Sequence, residues 1–352
     1  MDELRTGLSY GDVLLVPQRS PVDSRSDVDL STSLTPSIEL DSPLLSAPMD
    51  TVTEHEAAIA LGRAGGFGTI HRFLTVDEQA AEVRRVADAG QPVGAAVGIA
   101  EDTVERAGAA LDAGADCVMV DVAHGHLERC LDAVETLDAE FPGADVVAGN
   151  VATPDGVADL YHAGADAVKV GIGPGSHCTT RRVAGAGVPQ LTAIDDCSER
   201  ARELDVPIIA DGGIRSSGDA VKALMAGADT VMLGSLFAGT EEAPPEIVHI
   251  GGEPYKRSRG MATTAAAEDR SDKADATVSA DEGVEGFTEY KGPLADVAAE
   301  FDAGIRSGLS YCGGHTIEKA REKAEFIRVE QAAKEREGAH GDHDWESVSV
   351  DD

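Results

Sequence analysis

The residues best suited to chemistry stand together in one stretch, Lys169-Val170-Gly171-Ile172-Gly173-Pro174-Gly175-Ser176-His177-Cys178-Thr179-Thr180-Arg181. Three glycines at alternate positions let a backbone come close to an ion. Amides turned inward cradle a phosphate, and carbonyls turned inward hold a monovalent cation. Just beyond them the Cys178 thiol has Ser176, Thr180 and Arg181 as neighbours. Amide N–H groups and positive charge of that kind lower a thiol pKa and suit it to nucleophilic attack. Spacing alone leaves plainer readings open, since tight turns also use Gly-x-Gly-x-Gly and most free cysteines are small buried apolar residues.

Such a loop needs a scaffold, and eight short apolar runs supply one: Leu44–Met49, Gly66–Ile70, Val93–Gly98, Cys117–Ala123, Asp145–Val151, Ala167–Gly173, Pro207–Gly213 and Thr230–Ser235. Each is followed by a helical pattern. Near-continuous apolar runs alternating with amphipathic helices imply parallel strands buried on both faces, and eight such units close into an α/β (β/α)8 TIM barrel. An open doubly wound sheet is the alternative. Three echoes, Asp112-Ala113-Gly114-Ala115-Asp116, His162-Ala163-Gly164-Ala165-Asp166 and Met225-Ala226-Gly227-Ala228-Asp229, each precede a run and read as one helix-to-strand turn with Gly ending the helix. The polar residues then fall at the C-terminal ends of the runs, where barrels carry their chemistry: Asp50, Asp121, His124, Asn150, the Cys178 loop, Asp211 and Ser235.

The chain thus divides into an N-terminal segment with the barrel (residues 1–261), a polar flap (262–290), a helical part of the same domain (291–329) and a charged tail (330–352). The flap, rich in Ala, Thr, Ser, Asp and Glu, reads as a mobile lid beside the active face. His124-Gly125-His126 has H-x-H spacing but no third metal partner.

Charge narrows the classes of partner. Among 352 residues, 64 acidic against 29 basic leave −35, which repels nucleic acid and anionic membrane surfaces. Five widely spaced cysteines without a C-x-x-C pair argue against a disulfide framework or zinc knuckle. The N-terminus has no signal-peptide pattern and no apolar run approaches the ~20 residues of a membrane span, so a cytoplasmic protein is expected. Dense carboxylate with only 4% aromatics resembles proteins of a salt-loaded, halophilic cytoplasm. One expected outcome follows from charge alone. Thermal stability should rise steeply with potassium chloride, because the screening length of ~10 Å at 0.1 M shortens further with salt. A melting temperature flat from low to molar salt would contradict it.

The Cys178 loop closely resembles the signature loop of the IMP dehydrogenase/GMP reductase family. The resemblance extends through Leu8–Pro17, Ser46–Glu54, Gly149–Thr153, Gly185–Gln190, Ala210–Ile214, Gly234–Thr240 and Arg259-Gly260-Met261. It implies that Cys178 adds to C2 of a purine nucleoside monophosphate while a hydride passes between C2 and a nicotinamide, NADPH or NAD. Ser176, Asp211, Gly213, Gly234, Ser235, Gly260 and Met261 would hold the nucleotide, and Asp121, Asn150, Gly171 and Gly173 would face the cofactor. Thr180 and Glu282 would move protons at C2, and the carbonyls of Gly173, Gly175 and Cys178 would take potassium. A homotetramer is implied as well.

Departures from the family decide finer points. His177 replaces an aliphatic residue, and Ser258 stands where the dehydrogenases carry Tyr. Arg72–Pro92 leaves about twenty residues, too few for the paired regulatory modules that many members insert there. The dehydrogenases deliver an Arg-Tyr pair from the flap to activate water. Here the pair is Arg270-Ser271, so Arg270 remains as a catalytic candidate while its partner is missing. That absence favours a GMP reductase over an IMP dehydrogenase, although several other segments look more like dehydrogenases. A noncatalytic nucleotide-binding paralogue, suggested by His177 and Ser258, and a flavin barrel oxidoreductase are the remaining readings.

Overall fold

In the computed structural model, which describes residues 4–270 and 282–336, each anticipated run forms one strand. These are β1 (Leu44–Ser46), β2 (Phe67–Ile70), β3 (Val93–Val97), β4 (Cys117–Asp121), β5 (Asp145–Val151), β6 (Ala167–Val170), β7 (Ile208–Asp211) and β8 (Thr230–Leu233). All pair in parallel, and β8 returns to β1 to close the barrel. The open-sheet alternative is thereby excluded.

Alternation along the strands explains the two-sided burial. Phe67, Cys117, Met119, Val147, Ala167, Ile209 and Met232 form one buried cluster inside the barrel. The intervening Val118, Val120, Val146, Val168, Val170, Ile208 and Val231 belong to the cluster that includes the surrounding helices. Leu34 and Leu40, from a small hairpin of Thr32–Ser33 and Glu39–Leu40, join the interior cluster beside the first residues of β2, β4 and β6, so the hairpin plugs the N-terminal mouth. The opposite mouth is left for function.

The repeated turn has a physical basis beyond the helix-ending glycine. In each copy the Asp carboxylate accepts from an amide at the start of the preceding strand: Asp116 from Val93 at 2.8 Å, Asp166 from Val146 at 2.8 Å and Asp229 from Ile208 at 2.9 Å. The motif staples adjacent strands at their starting register, which is why it recurs before strands.

Outside the barrel, Val13–Leu15 pairs antiparallel with Phe326–Arg328, tying the N-terminal segment to the chain's later part. Three antiparallel strands, β9 (Ile247–Ile250), β10 (Glu253–Arg259) and β11 (Glu285–Glu289), form a separate sheet. Strand β11 and a short helix, Thr264–Asp269, lie within the stretch read as a polar flap. Exposed and half-buried residues alternate along β11, so it carries little of the apolar signal by which buried strands are recognised. Among the described residues no helix is long and apolar enough to cross a membrane.

Candidate active site

The active face begins with the topmost inward positions of three strands. Asp121 on β4, Lys169 on β6 and Asp211 on β7 keep the inward parity of the interior cluster and meet above it. Lys169 Nζ lies 2.7 Å from Asp121 Oδ1 and 2.8 Å from Asp211 Oδ2, and also donates to Asn150 Oδ1. The Asn150 amide donates in turn to Asp211 Oδ2 and to the Gly171 carbonyl, both at 2.8 Å. Burial alone would lower the Lys169 pKa, but the two carboxylates override it and hold the ammonium above its ordinary value. Gly171 is required by closeness, since a Cβ there would stand 2.1 Å from the Asp211 carbonyl oxygen.

The cysteine loop leaves β6 and folds back on itself, with the Cys178 amide donating to the Gly175 carbonyl at 3.1 Å. Its other edge is taken by the chain on the far side of the flap. Cys178 and Gly283 form an antiparallel bridge, Thr179 N donates to Glu282 O at 2.9 Å, and Val284 N donates to His177 O at 2.9 Å. This pairing brings the Glu282 carboxylate to the loop. The Cys178 thiol donates to Thr180 Oγ1 at 3.2 Å, and Thr180 Oγ1 donates to Glu282 Oε2 at 2.7 Å. The two hydrogen bonds form a continuous file from the sulfur to the carboxylate, the arrangement that proton transfer between them requires.

A cavity of 330 Å³ opens at this relay, lined by Cys178, Thr180 and Glu282. All the expected nucleotide ligands, Ser176, Asp211, Gly213, Gly234, Ser235, Gly260 and Met261, line it. Arg259, buried beneath, has Nε 3.0 Å from Asp50 Oδ2 and ties the end of β10 to the loop after β1. This ion pair fixes Gly260-Met261 against the cavity.

The expected cofactor residues divide. Asp121 and Asn150 line an adjoining cavity of 220 Å³ that shares Ala123, Asp211, Met261 and Ala262 with the first. Gly171 and Gly173 line neither cavity; Gly171 acts through its carbonyl on Asn150. Through Arg72 and Val122 the second cavity continues into a cleft of 290 Å³ whose walls carry Arg72, Arg106, Arg129 and Arg270. Asp102 lines the same cleft and pairs with the buried Arg106 at 2.9 Å, which leaves Arg72, Arg129 and Arg270 as its other guanidinium groups.

Arg270 is not brought to the thiol. Its guanidinium lies 4.5 Å from the Phe73 ring centroid, with Arg72 on the same ring at 5.0 Å, and it lines the arginine cleft rather than the cysteine cavity. Stacking on an aromatic face holds it there. Ser271 lies outside the described residues. Among the described residues no group of three His, Cys, Asp or Glu converges as a metal site, and His126 is engaged with Asp159 at 2.7 Å. Of the carbonyls considered for potassium, that of Gly175 already accepts the Cys178 amide.

Sequence reasoning missed Lys169 and the Asp50–Arg259 pair. The available signal was a lone lysine inside a run otherwise apolar, Ala167-Val168-Lys169-Val170, where an unpaired charge could not be buried.

The chain matches the IMP dehydrogenase / GMP reductase domain over residues 7–340. It is 38% identical to inosine-5'-monophosphate dehydrogenase of Aquifex aeolicus, covering 96% of each chain. Against GMP reductase of Leishmania major the identity is 34%, covering 96% of this chain and 97% of the relative. Among solved structures, GMP reductase from Trypanosoma brucei, as a cysteine-to-alanine variant in complex with guanosine 5'-monophosphate, superposes with a TM-score of 0.92 at 31% identity. That superposition covers 96% of this chain and 98% of the other.

Proposed function

We propose, from the premise that this chain belongs to the IMP dehydrogenase / GMP reductase family, that it reduces GMP to IMP with release of ammonia, using NADPH. The family membership makes it a nicotinamide-dependent purine-nucleotide oxidoreductase; the direction is our reading. One observation carries it: the acid–base pair beside the thiol is Thr180–Glu282, while Arg270 stacks on Phe73 in the neighbouring cleft.

With GMP in the cavity, Sγ bonds to C2 as the thiol proton passes through Thr180 to Glu282. The same pair returns a proton to the C2 amino group, which leaves as ammonia with its bonding electrons, and C2 stays attached to sulfur in a thioimidate-type adduct. A reduced nicotinamide, when bound, supplies hydride to C2. The C–S bond then breaks, its electrons return to the Cys178 thiolate, and IMP is released. No step needs an activated water. The cavity holding Asp121 and Asn150 adjoins the cysteine cavity and is large enough for a nicotinamide ring. The cleft beyond it favours NADPH over NADH, because the 2′-phosphate adds negative charge and Arg72, Arg129 and Arg270 outnumber Asp102, whose partner is Arg106, along its walls.

A second reading, IMP dehydrogenase, is favoured by the dehydrogenase-like segments Pro48–Glu54, Gly234–Thr240 and Tyr311-Cys312-Gly313. The two part company in one ultraviolet assay of the purified protein in molar potassium chloride. We expect NADPH to be consumed with GMP, stoichiometric with ammonia, and more slowly if NADH replaces it. IMP with NAD should give at most a single burst of NADH. Sustained XMP formation with no NADPH consumption on GMP would overturn the reductase assignment.

A further inference from the structure

Four side chains from three separate parts of the chain form a hydrogen-bonded file that ends in the nucleotide cavity. Thr288 Oγ1 on β11 donates to Ser258 Oγ on β10 at 2.9 Å; Ser258 Oγ lies 3.0 Å from His177 Nε2; and His177 Nδ1 lies 3.1 Å from Ser176 Oγ. Ser176 and His177 line the cavity and Ser258 does not. Ser258 is 1% exposed, so its hydroxyl proton needs an acceptor within the protein.

That requirement fixes the direction of the file. The Ser258 oxygen already accepts from Thr288, and the neighbour left to take its proton is Nε2. A ring that accepts at Nε2 carries its proton on Nδ1 and donates it to Ser176 Oγ. Ser176, having accepted, turns its own proton outward. The reverse assignment, with Nε2 protonated, would aim two donors at the Ser258 oxygen and leave its buried proton with no acceptor, while Ser176 would spend its proton on the ring.

We infer that His177 is a positioning residue, held in its Nδ1–H tautomer by Ser258 and Thr288, that sets Ser176 as a hydroxyl donor toward the nucleotide 5′-phosphate. This rests on the nucleotide-binding reading above. A hydroxyl pre-set as donor suits an anion, and Arg215 is the one Arg or Lys among the described residues that line this cavity, so hydroxyls and amides must supply the rest. The two departures His177 and Ser258 are on this view one paired device.

Calorimetric titration of the full chain with GMP and with guanosine tests it. Removal of the His177 link in H177F should weaken GMP about tenfold or more, the worth of a hydrogen bond to a charged group, and leave guanosine binding unchanged. H177N, whose amide can still donate to Ser176, should recover most of the loss. S176A added to H177F should produce little further loss, since both remove the same contact. Ser258→Ala, altering a residue outside the cavity, should weaken GMP selectively too, and serves if H177F does not fold. Equal weakening of nucleoside and nucleotide, additive losses in the double variant, or unchanged GMP affinity in both H177F and S258A would each overturn the inference. Failure of the wild-type chain to bind GMP or IMP would instead overturn the functional reading.

Discussion

Replacement of Cys178 by alanine is expected to abolish turnover, by ~10⁴-fold or more, while purine nucleotide affinity stays within a few-fold of wild type. The thiol is the atom through which every covalent step passes, whereas the cavity that holds the nucleotide is built from the Gly213, Ser235 and Met261 loops as well. Cys178 is also the one partly exposed cysteine of the five. The others are buried, and burial pushes their thiols up, that of Cys130 to about 11 and that of Cys197 to about 12. An alkylating reagent should therefore modify one site, and prior GMP should protect it. Turnover in the alanine variant comparable to wild type would eliminate the covalent mechanism. GMP affinity that persists in the alanine variant while turnover is lost would confirm that binding and chemistry separate.

The barrel was legible because its signals are local. Each strand announces itself as an apolar run a few residues long, and the Ala-Gly-Ala-Asp turns mark three strand starts within the sequence itself. The run ends were overextended, as at Ala167–Gly173 where the strand stops at Val170, because glycine-rich loop residues continue an apolar pattern without continuing the pairing. The cysteine loop was legible through its motif. What the sequence hid depends on partners distant along the chain. Lys169 meets Asp121 and Asp211, 48 and 42 residues away, and His177 meets Ser258 81 residues away. Read singly, His177 and Ser258 look like two losses, and only their adjacency turns them into one arrangement. Arg270 was read from its place in a dipeptide, but its position is set by the Phe73 ring, which no local pattern connects to it.

Lys169→Met should be the most damaging substitution to stability at the active face. The wild-type ammonium is 1% exposed and is shared by Asp121, Asp211 and Asn150. Without it two carboxylates face each other across the barrel mouth with no cation between them. Breaking a buried ion pair from one side costs about 3–5 kcal/mol; Asp121 and Asp211 keep side-chain exposures of 25% and 23%, so water relieves part of this and the lower end applies. The melting temperature should fall by about 4 °C. Adding Asp121→Asn and Asp211→Asn to the methionine variant should restore much of the loss, since the penalty lies in the abandoned charges and not in the missing lysine stem. The pH dependence has a definite sign. Because the carboxylates raise the folded-state pKa of Lys169, its contribution is fully present below the ordinary lysine value of about 10.4 and is lost as pH climbs beyond it. The wild-type protein should therefore lose stability at strongly alkaline pH more steeply than Lys169→Met does. Activity should suffer separately, because Asp121 and Asn150 line the cavity that adjoins the cysteine cavity and lose their common anchor. A Lys169→Met protein as stable as wild type at neutral pH, with the same alkaline slope, would show that the ammonium is not what holds the top of the barrel together.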